Sequence, residues 1–163
     1  MQIGRPYRIA LFGHRDFGEH RLLEKYLPPL LKELIRKESF VEIYIGRNGE
    51  FDLYAASLVK RVQKETGKES SELICVLPYP QKDEEYYENY YDCIMIPECL
   101  IKAHPKGAIT KRNRWIVEQA DLLICYVERE NGGAYNALKY ARQLGKQIVN
   151  FAESRWSEDE PLS

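Results

Sequence analysis

The sequence predicts an α/β domain, a Rossmann-like three-layer sandwich on a mostly parallel sheet. Three observations carry that expectation. Short β-rich runs alternate with longer segments of helical apolar spacing along nearly the whole chain. One run, Leu122–Val127, is continuously apolar, as a strand buried on both faces requires. Glycines and prolines close most of the segments, where strands and helices must stop.

The elements follow in order. Tyr7–Phe12 is a first strand closed by Gly13. From His20 to Lys37 apolar residues recur at helical spacing through Leu22, Leu23, Tyr26, Leu27, Leu31 and Leu34. Pro28-Pro29 falls inside this stretch and is expected to start a new helix or to kink this one. Val41–Ile45 is a second strand ending at Gly46, and Asp52–Thr66 a helix stopped by Gly67. Leu73–Leu77 is a third strand, ended by prolines. Gln81–Asp92 is polar and tyrosine-rich, and Cys93–Ile96 reads as a short edge strand. Thr110–Gln119 is a helix and Leu122–Val127 a strand. Ala134–Leu144 is a helix stopped by Gly145, and Gln147–Phe151 a last strand. The predicted strand order is 4-3-2-1-5-6. Residues 1–156 form one domain, and the acidic residues 157–163 are expected to fray.

Charge and cysteines narrow the classes. The chain has 24 basic and 25 acidic residues, so no global field draws it to DNA, RNA or anionic lipid. Cys75 and Cys125 lie in apolar runs, and no C-x-x-C pair occurs. All four cysteines are read as reduced and structural, consistent with a cytoplasmic chain. No segment approaches the roughly 20 apolar residues of a membrane span.

Chemistry concentrates where strands end. The first strand is followed by Gly13-His14-Arg15. The second is followed by Gly46-Arg47-Asn48-Gly49-Glu50-Phe51-Asp52, and the fifth, after a short loop, by Gly132-Gly133-Ala134-Tyr135-Asn136. Ligands of open parallel sheets bind outside the carboxyl ends of the strands, at the point where strand order reverses. Gly132-Gly133 lets a phosphate approach the backbone at a helix start, where free N–H groups favour an anion. Arg15, Arg47, Arg112 and Arg114 suit phosphate recognition. His14 fits either acid–base work or the fastening of a turn. Glu50 and Asp52 read as helix-dipole acids, or as carboxylates that hold ribose hydroxyls or act on a glycosidic bond. Tyr86, Tyr87, Tyr90 and Tyr91 suit either base stacking or cover for the sheet edge. No P-loop, G-x-S-x-G, G-x-G-x-x-G or zinc-ligand spacing is present, and neither metal nor cofactor is assigned.

Taken together, these segments resemble the SLOG superfamily, the Rossmann-like group that contains the Lonely Guy enzymes and the DNA-processing Smf proteins. The residues are Gly13-His14-Arg15, Gly46–Asp52 with Ala55-Ala56, Arg112-Asn113-Arg114-Trp115 with Ala120-Asp121, and Gly132–Ala137 with Tyr140-Ala141. The likeness runs from about Tyr7 to Phe151 and is nearest to the small bacterial "TGHR" branch, with Phe12 in place of a small residue before Gly-His-Arg. It implies a pocket for nucleotides or their derivatives, built from Gly13, Arg15, Gly46, Gly49, Asp52, Arg112, Asn113, Gly132, Gly133 and Asn136. It also implies a homodimer. Lonely Guy phosphoribohydrolases carry P-G-G-x-G-T-x-x-E, whereas this chain reads Asn131-Gly132-Gly133-Ala134-Tyr135-Asn136-Ala137-Leu138-Lys139. Lys139 stands where the catalytic glutamate would fall.

Three functions fit these residues. The first is a cytoplasmic, sensor-like module that binds a nucleotide or nucleotide derivative. The second is an enzyme that cleaves or transfers at an N-glycosidic bond, with Glu50 or Asp52 as its acid. The third, least favoured by the balanced charge, is a DNA-binding protein.

Overall fold

The computed structural model describes residues 4–83, 87–102 and 104–156. Tyr86 and the acidic residues 157–163 lie outside the described residues. Among the described residues there are six strands and four α-helices. They are β1 (Tyr7–Gly13), α1 (His20–Lys37), β2 (Val41–Ile45), α2 (Glu50–Thr66), β3 (Ser71–Val76), β4 (Cys93–Met95), α3 (Pro105–Gln119), β5 (Leu122–Tyr126), α4 (Gly133–Gln143) and β6 (Gln147–Asn150). A 3-10 turn at Glu98–Leu100 precedes α3. The strands form one sheet in the order β4-β3-β2-β1-β5-β6, with every neighbouring pair parallel. The predicted order and fold class are those observed.

Residue alternation divides the core between the two faces of the sheet. Ile9, Leu11, Ile43, Ile45, Leu73 and Cys75 pack against Leu23, Leu27 and Leu31 of α1 and Phe51, Leu58 and Val59 of α2. Ala10, Phe12, Tyr44, Ile74, Val76, Leu123 and Cys125 face the opposite way, with Ile116 and Val117 of α3 and Ala137, Leu138 and Ala141 of α4. All five residues of β5 are buried, as its unbroken apolar run demands.

Two elements depart from expectation. No new helix begins at Pro28-Pro29: α1 runs through both prolines. Each proline removes a backbone hydrogen bond and costs roughly 3 kcal/mol inside a helix. The buried stripe Leu22, Leu23, Tyr26, Leu27, Leu31 and Ile35 offsets this, each such side chain contributing roughly 1.5–3 kcal/mol. Helix α3 begins at Pro105 rather than Thr110. His104 caps it, its Nδ1 accepting the Lys106 N–H at 3.1 Å, and Pro105 fills the first turn, where no N–H is needed. In the tyrosine-rich segment, Tyr90 is exposed, with Lys60 Nζ 4.5 Å from its ring centroid. Tyr91 is buried in the core, and the Arg47 guanidinium lies 3.8 Å over the Tyr87 ring. Among the described residues, no helix is long and apolar enough to cross a membrane.

Candidate functional site

The carboxyl ends of β1, β2 and β5 open onto a cavity of about 430 Å³. It lies at the switch point, where the chain leaves β1 toward β2 on one side and β5 lies on the other. The loop after β1 supplies Gly13 to Asp16, and the loop after β2 supplies Gly46, Asn48, Gly49 and the α2 residue Asp52. The loop after β5 supplies Arg129, Asn131 and Gly132, continuing into Gly133 and Ala134 of α4. Helix α3 adds Ile109, Arg112 and Asn113.

Arg112 is the deepest cation. It is only 3% exposed, yet it lines the cavity. Its Nη1 donates to the Val76 carbonyl at 2.8 Å and its Nε to Asn113 Oδ1 at 2.7 Å. Burial pulls its pKa down, and the nearby Asp52 carboxylate opposes that shift. Gly46 is what lets these groups approach. A Cβ there would lie 3.0 Å from Arg112 Nη1 and 3.1 Å from Asp52 Oδ2.

Asp52 sits at the third position of α2, after the N-cap Gly49. It keeps some surface toward the cavity but is otherwise enclosed by protein. Its Oδ2 accepts the Asn48 N–H at 3.2 Å. Desolvation pushes its pKa up to about 6, against the opposing pull of the Asn48 N–H and Arg112. At neutral pH this carboxyl is therefore within reach of protonation.

His14 is buried, and its Nε2 accepts N–H groups from Glu128 at 3.0 Å and Arg129 at 3.2 Å. That assigns the neutral ring with the proton on Nδ1. Desolvation, followed by the Arg129 charge, lowers its pKa. Of the two roles expected for His14, the geometry fits the fastening of a turn. The Nε2 lone pair is already committed.

At the mouth, Arg129 pairs with both oxygens of Asp16, at 3.0 and 2.5 Å. This contact holds the Asp16 pKa down to about 2. Gly132 has φ of 91°, a backbone conformation that favours glycine, and it serves as the N-cap of α4.

Most of the expected ligand-binding residues meet here: Gly13, His14, Arg15, Gly46, Gly49 and Asp52 from the first two loops, Arg112 and Asn113 from α3, and Gly132-Gly133. Arg47 does not. Its Nη2 pairs with Asp83 at 2.8 Å, and its guanidinium lies over Tyr87, on the α1/α2 side of the sheet. Arg114 and Asn136 line a neighbouring cavity instead. Glu50 is exposed and outside the cavity lining, so of the two expected acids only Asp52 lines it, together with Asp16 at the mouth. Sequence reasoning passed over Asp16, Asn48, Arg129, Asn131 and Ile109 as site residues. Four of these belong to the strand-end loops already singled out, so their position was the available signal. Ile109 lies on the first turns of α3, which were expected to be a loop.

No protein-family model matches the sequence, and neither does any curated protein. Solved structures do match in fold. DNA processing protein A from Streptococcus pneumoniae superposes with a TM-score of 0.62 at 14% identity over 88% of this chain, which spans about half (49%) of that chain. DNA processing protein A from Helicobacter pylori, described with a single-stranded DNA binding mode, gives 0.59 at 19% identity, covering 88% of this chain and 64% of that one. A molybdenum cofactor carrier protein from Chlamydomonas reinhardtii gives 0.56 at 16% identity, covering 90% and 76%. With its open parallel sheet in the order 4-3-2-1-5-6, the chain shares the Rossmann-like fold of these solved structures.

Proposed function

We propose that the switch-point cavity binds a nucleotide or nucleotide derivative, with its phosphate at the Gly132-Gly133 start of α4. One observation carries this reading: a buried arginine, Arg112, lines the same cavity as a glycine-built helix N-terminus. The Arg112 guanidinium already has the Val76 carbonyl, Asn113 Oδ1 and the nearby Asp52 carboxylate as partners, and a phosphate at the free helix N–H groups would add a second negative charge beside it. A volume of about 430 Å³ falls within the usual range for small-molecule sites. Asp52 lies on the side of the cavity formed by β2 and α2, across from Gly132. A phosphate at Gly132-Gly133 leaves Asp52 for a ribose hydroxyl or a base edge.

Nucleotides are expected to raise the melting temperature of the protein, and Arg112→Gln to abolish the rise. Arg15→Gln, at an exposed position, tests the same cavity if the buried variant fails to fold. No shift with either purine or pyrimidine nucleotides would overturn the reading.

Two further readings remain in play. Of the two acids expected for N-glycosidic chemistry, only Asp52 lines the cavity, and Lys139 occupies the position where Lonely Guy enzymes carry a glutamate. Chromatography of nucleoside monophosphates incubated with the protein tests it: no released base rejects it. Nucleic-acid binding gains support from the two DNA-processing neighbours in fold, so the balanced net charge does not exclude it. It predicts single-stranded DNA binding with a steep salt dependence, and weak, salt-insensitive association would reject it.

A further inference from the structure

A second cavity, of about 350 Å³, lies between α3 and α4 beside the first. The two share Ile109, Asn113 and Gly133, so they adjoin along the start of α4. Their electrostatics differ. Arg112 faces Asp52 in the first cavity, and Arg129 is neutralised by Asp16 at its mouth. The second is lined by Arg114 and Lys139 together with neutral residues, and no carboxylate lines it. Arg5, Arg36, Arg61 and Arg129 pair with acids, whereas the exposed Arg15, Arg21 and Arg142 are not among the described residues in salt bridges. Among the described residues, Arg114 and Lys139 form no salt bridge. Glu118, one turn beyond Arg114 on α3, accepts the Tyr140 hydroxyl at 2.5 Å.

Both cations are braced by rings. The Arg114 guanidinium lies 4.9 Å from the Tyr140 centroid, and Lys139 Nζ lies 5.4 Å from that of Tyr135. Such contacts limit the swing of long side chains and lower the ordering cost when an anion arrives. The amides of Asn113, Asn136 and Gln143 and the Thr110 hydroxyl add neutral donors.

We propose that the second cavity is an anion subsite continuous with the first, so that the ligand is a nucleotide carrying two separated phosphates, one at Gly132-Gly133 and one between Arg114 and Lys139. This rests on the nucleotide reading of the first cavity.

The test is isothermal titration calorimetry on the full chain. The probes are adenosine 5′-monophosphate, adenosine 3′,5′-bisphosphate and the 5′-phosphorylated dinucleotide pApA. At least one two-phosphate probe is expected to bind about tenfold or more tighter than the monophosphate, the worth of one charge-assisted contact. The double variant Arg114→Gln/Lys139→Gln is expected to erase that advantage and leave monophosphate affinity unchanged. Both positions are exposed, so folding is not at stake. If the monophosphate binds but neither two-phosphate probe gains, or if the double variant keeps the gain, the subsite is overturned while the first-cavity reading stands. If none of the three probes binds, the subsite falls, and the first-cavity reading is decided by the purine and pyrimidine melting panel.

Discussion

Replacing Asp52 with asparagine should make the protein more stable at neutral pH and remove part of its pH dependence. The enclosed carboxyl has a folded-state pKa of about 6 against 3.8 as its ordinary value. Each unit of difference is worth 1.36 kcal/mol, so the shift sets a ceiling of about 3 kcal/mol. Contact with water through the open cavity brings the expected effect to roughly 1–3 kcal/mol. The sign follows from proton linkage. Between about pH 4 and pH 6 the folded protein holds a proton that the unfolded chain has released. Stability therefore falls as pH rises through that window and stays lowered above it. Asparagine preserves the shape and, through Oδ1, can still accept the Asn48 N–H, so the variant isolates the charge. Urea unfolding of both proteins at about pH 4 and pH 7 measures it. Wild type should lose stability relative to the variant between these points. Asp16 and Asp83, with lowered pKa values, and His14, whose pKa is also lowered, act in the opposite direction. Their contributions are present in both proteins and cancel in the comparison. A wild-type-minus-variant difference that is flat with pH would refute the claim that burial dominates at Asp52.

Two further substitutions probe the rim. His14→Ala leaves the Glu128 and Arg129 N–H groups without their acceptor and should cost about 1–3 kcal/mol in urea unfolding; faster hydrogen exchange at those two amides is the specific signature, and unchanged exchange would show that another acceptor takes over. Arg47→Gln removes the Asp83 pair and the contact with Tyr87, and should lower stability by about 1–2 kcal/mol. Nucleotide affinity should be unaffected by it, and a loss as large as that in Arg112→Gln would place Arg47 on the ligand after all.

The fold was legible because alternating strands and helices leave few topologies open, and the apolar run at Leu122–Val127 marks a central strand. What misled at the site was treating neighbouring residues as one cluster. Backbone alternation beyond β2 sends Gly46 and Asn48 to the cavity and Arg47 to the side of Ile45, where Tyr87 and Asp83 meet it. On a helix, residues two apart face away from each other. Arg112 and Arg114 therefore line different cavities, and Glu50 is exposed while Asp52 turns in. These separations follow from periodicities written in the sequence. The prolines in α1 are different: their cost is local, and the burial that outweighs it exists only once the sheet has formed.

The central position of β1 lets its loop tie the rim of the cavity together. Its loop lies between the loops after β2 and β5 and holds both. Arg15 Nε donates to the Asn48 carbonyl at 2.8 Å, and the Arg15 carbonyl accepts the Glu50 N–H at 2.8 Å. Gly49 must be glycine for that approach, since a Cβ would lie 2.6 Å from the Arg15 Cα. On the other side His14 takes two N–H groups of the loop after β5, and Asp16 clasps Arg129. Binding energy is lost when loops must be ordered on arrival of a ligand. Here the three loops are already tied to one another through Gly13–Asp16, so a ligand entering the cavity has little of the rim left to order. The Gly-His-Arg sequence after β1 thus holds the neighbouring loops in place, and of the three residues Arg15 carries a charge onto the cavity lining.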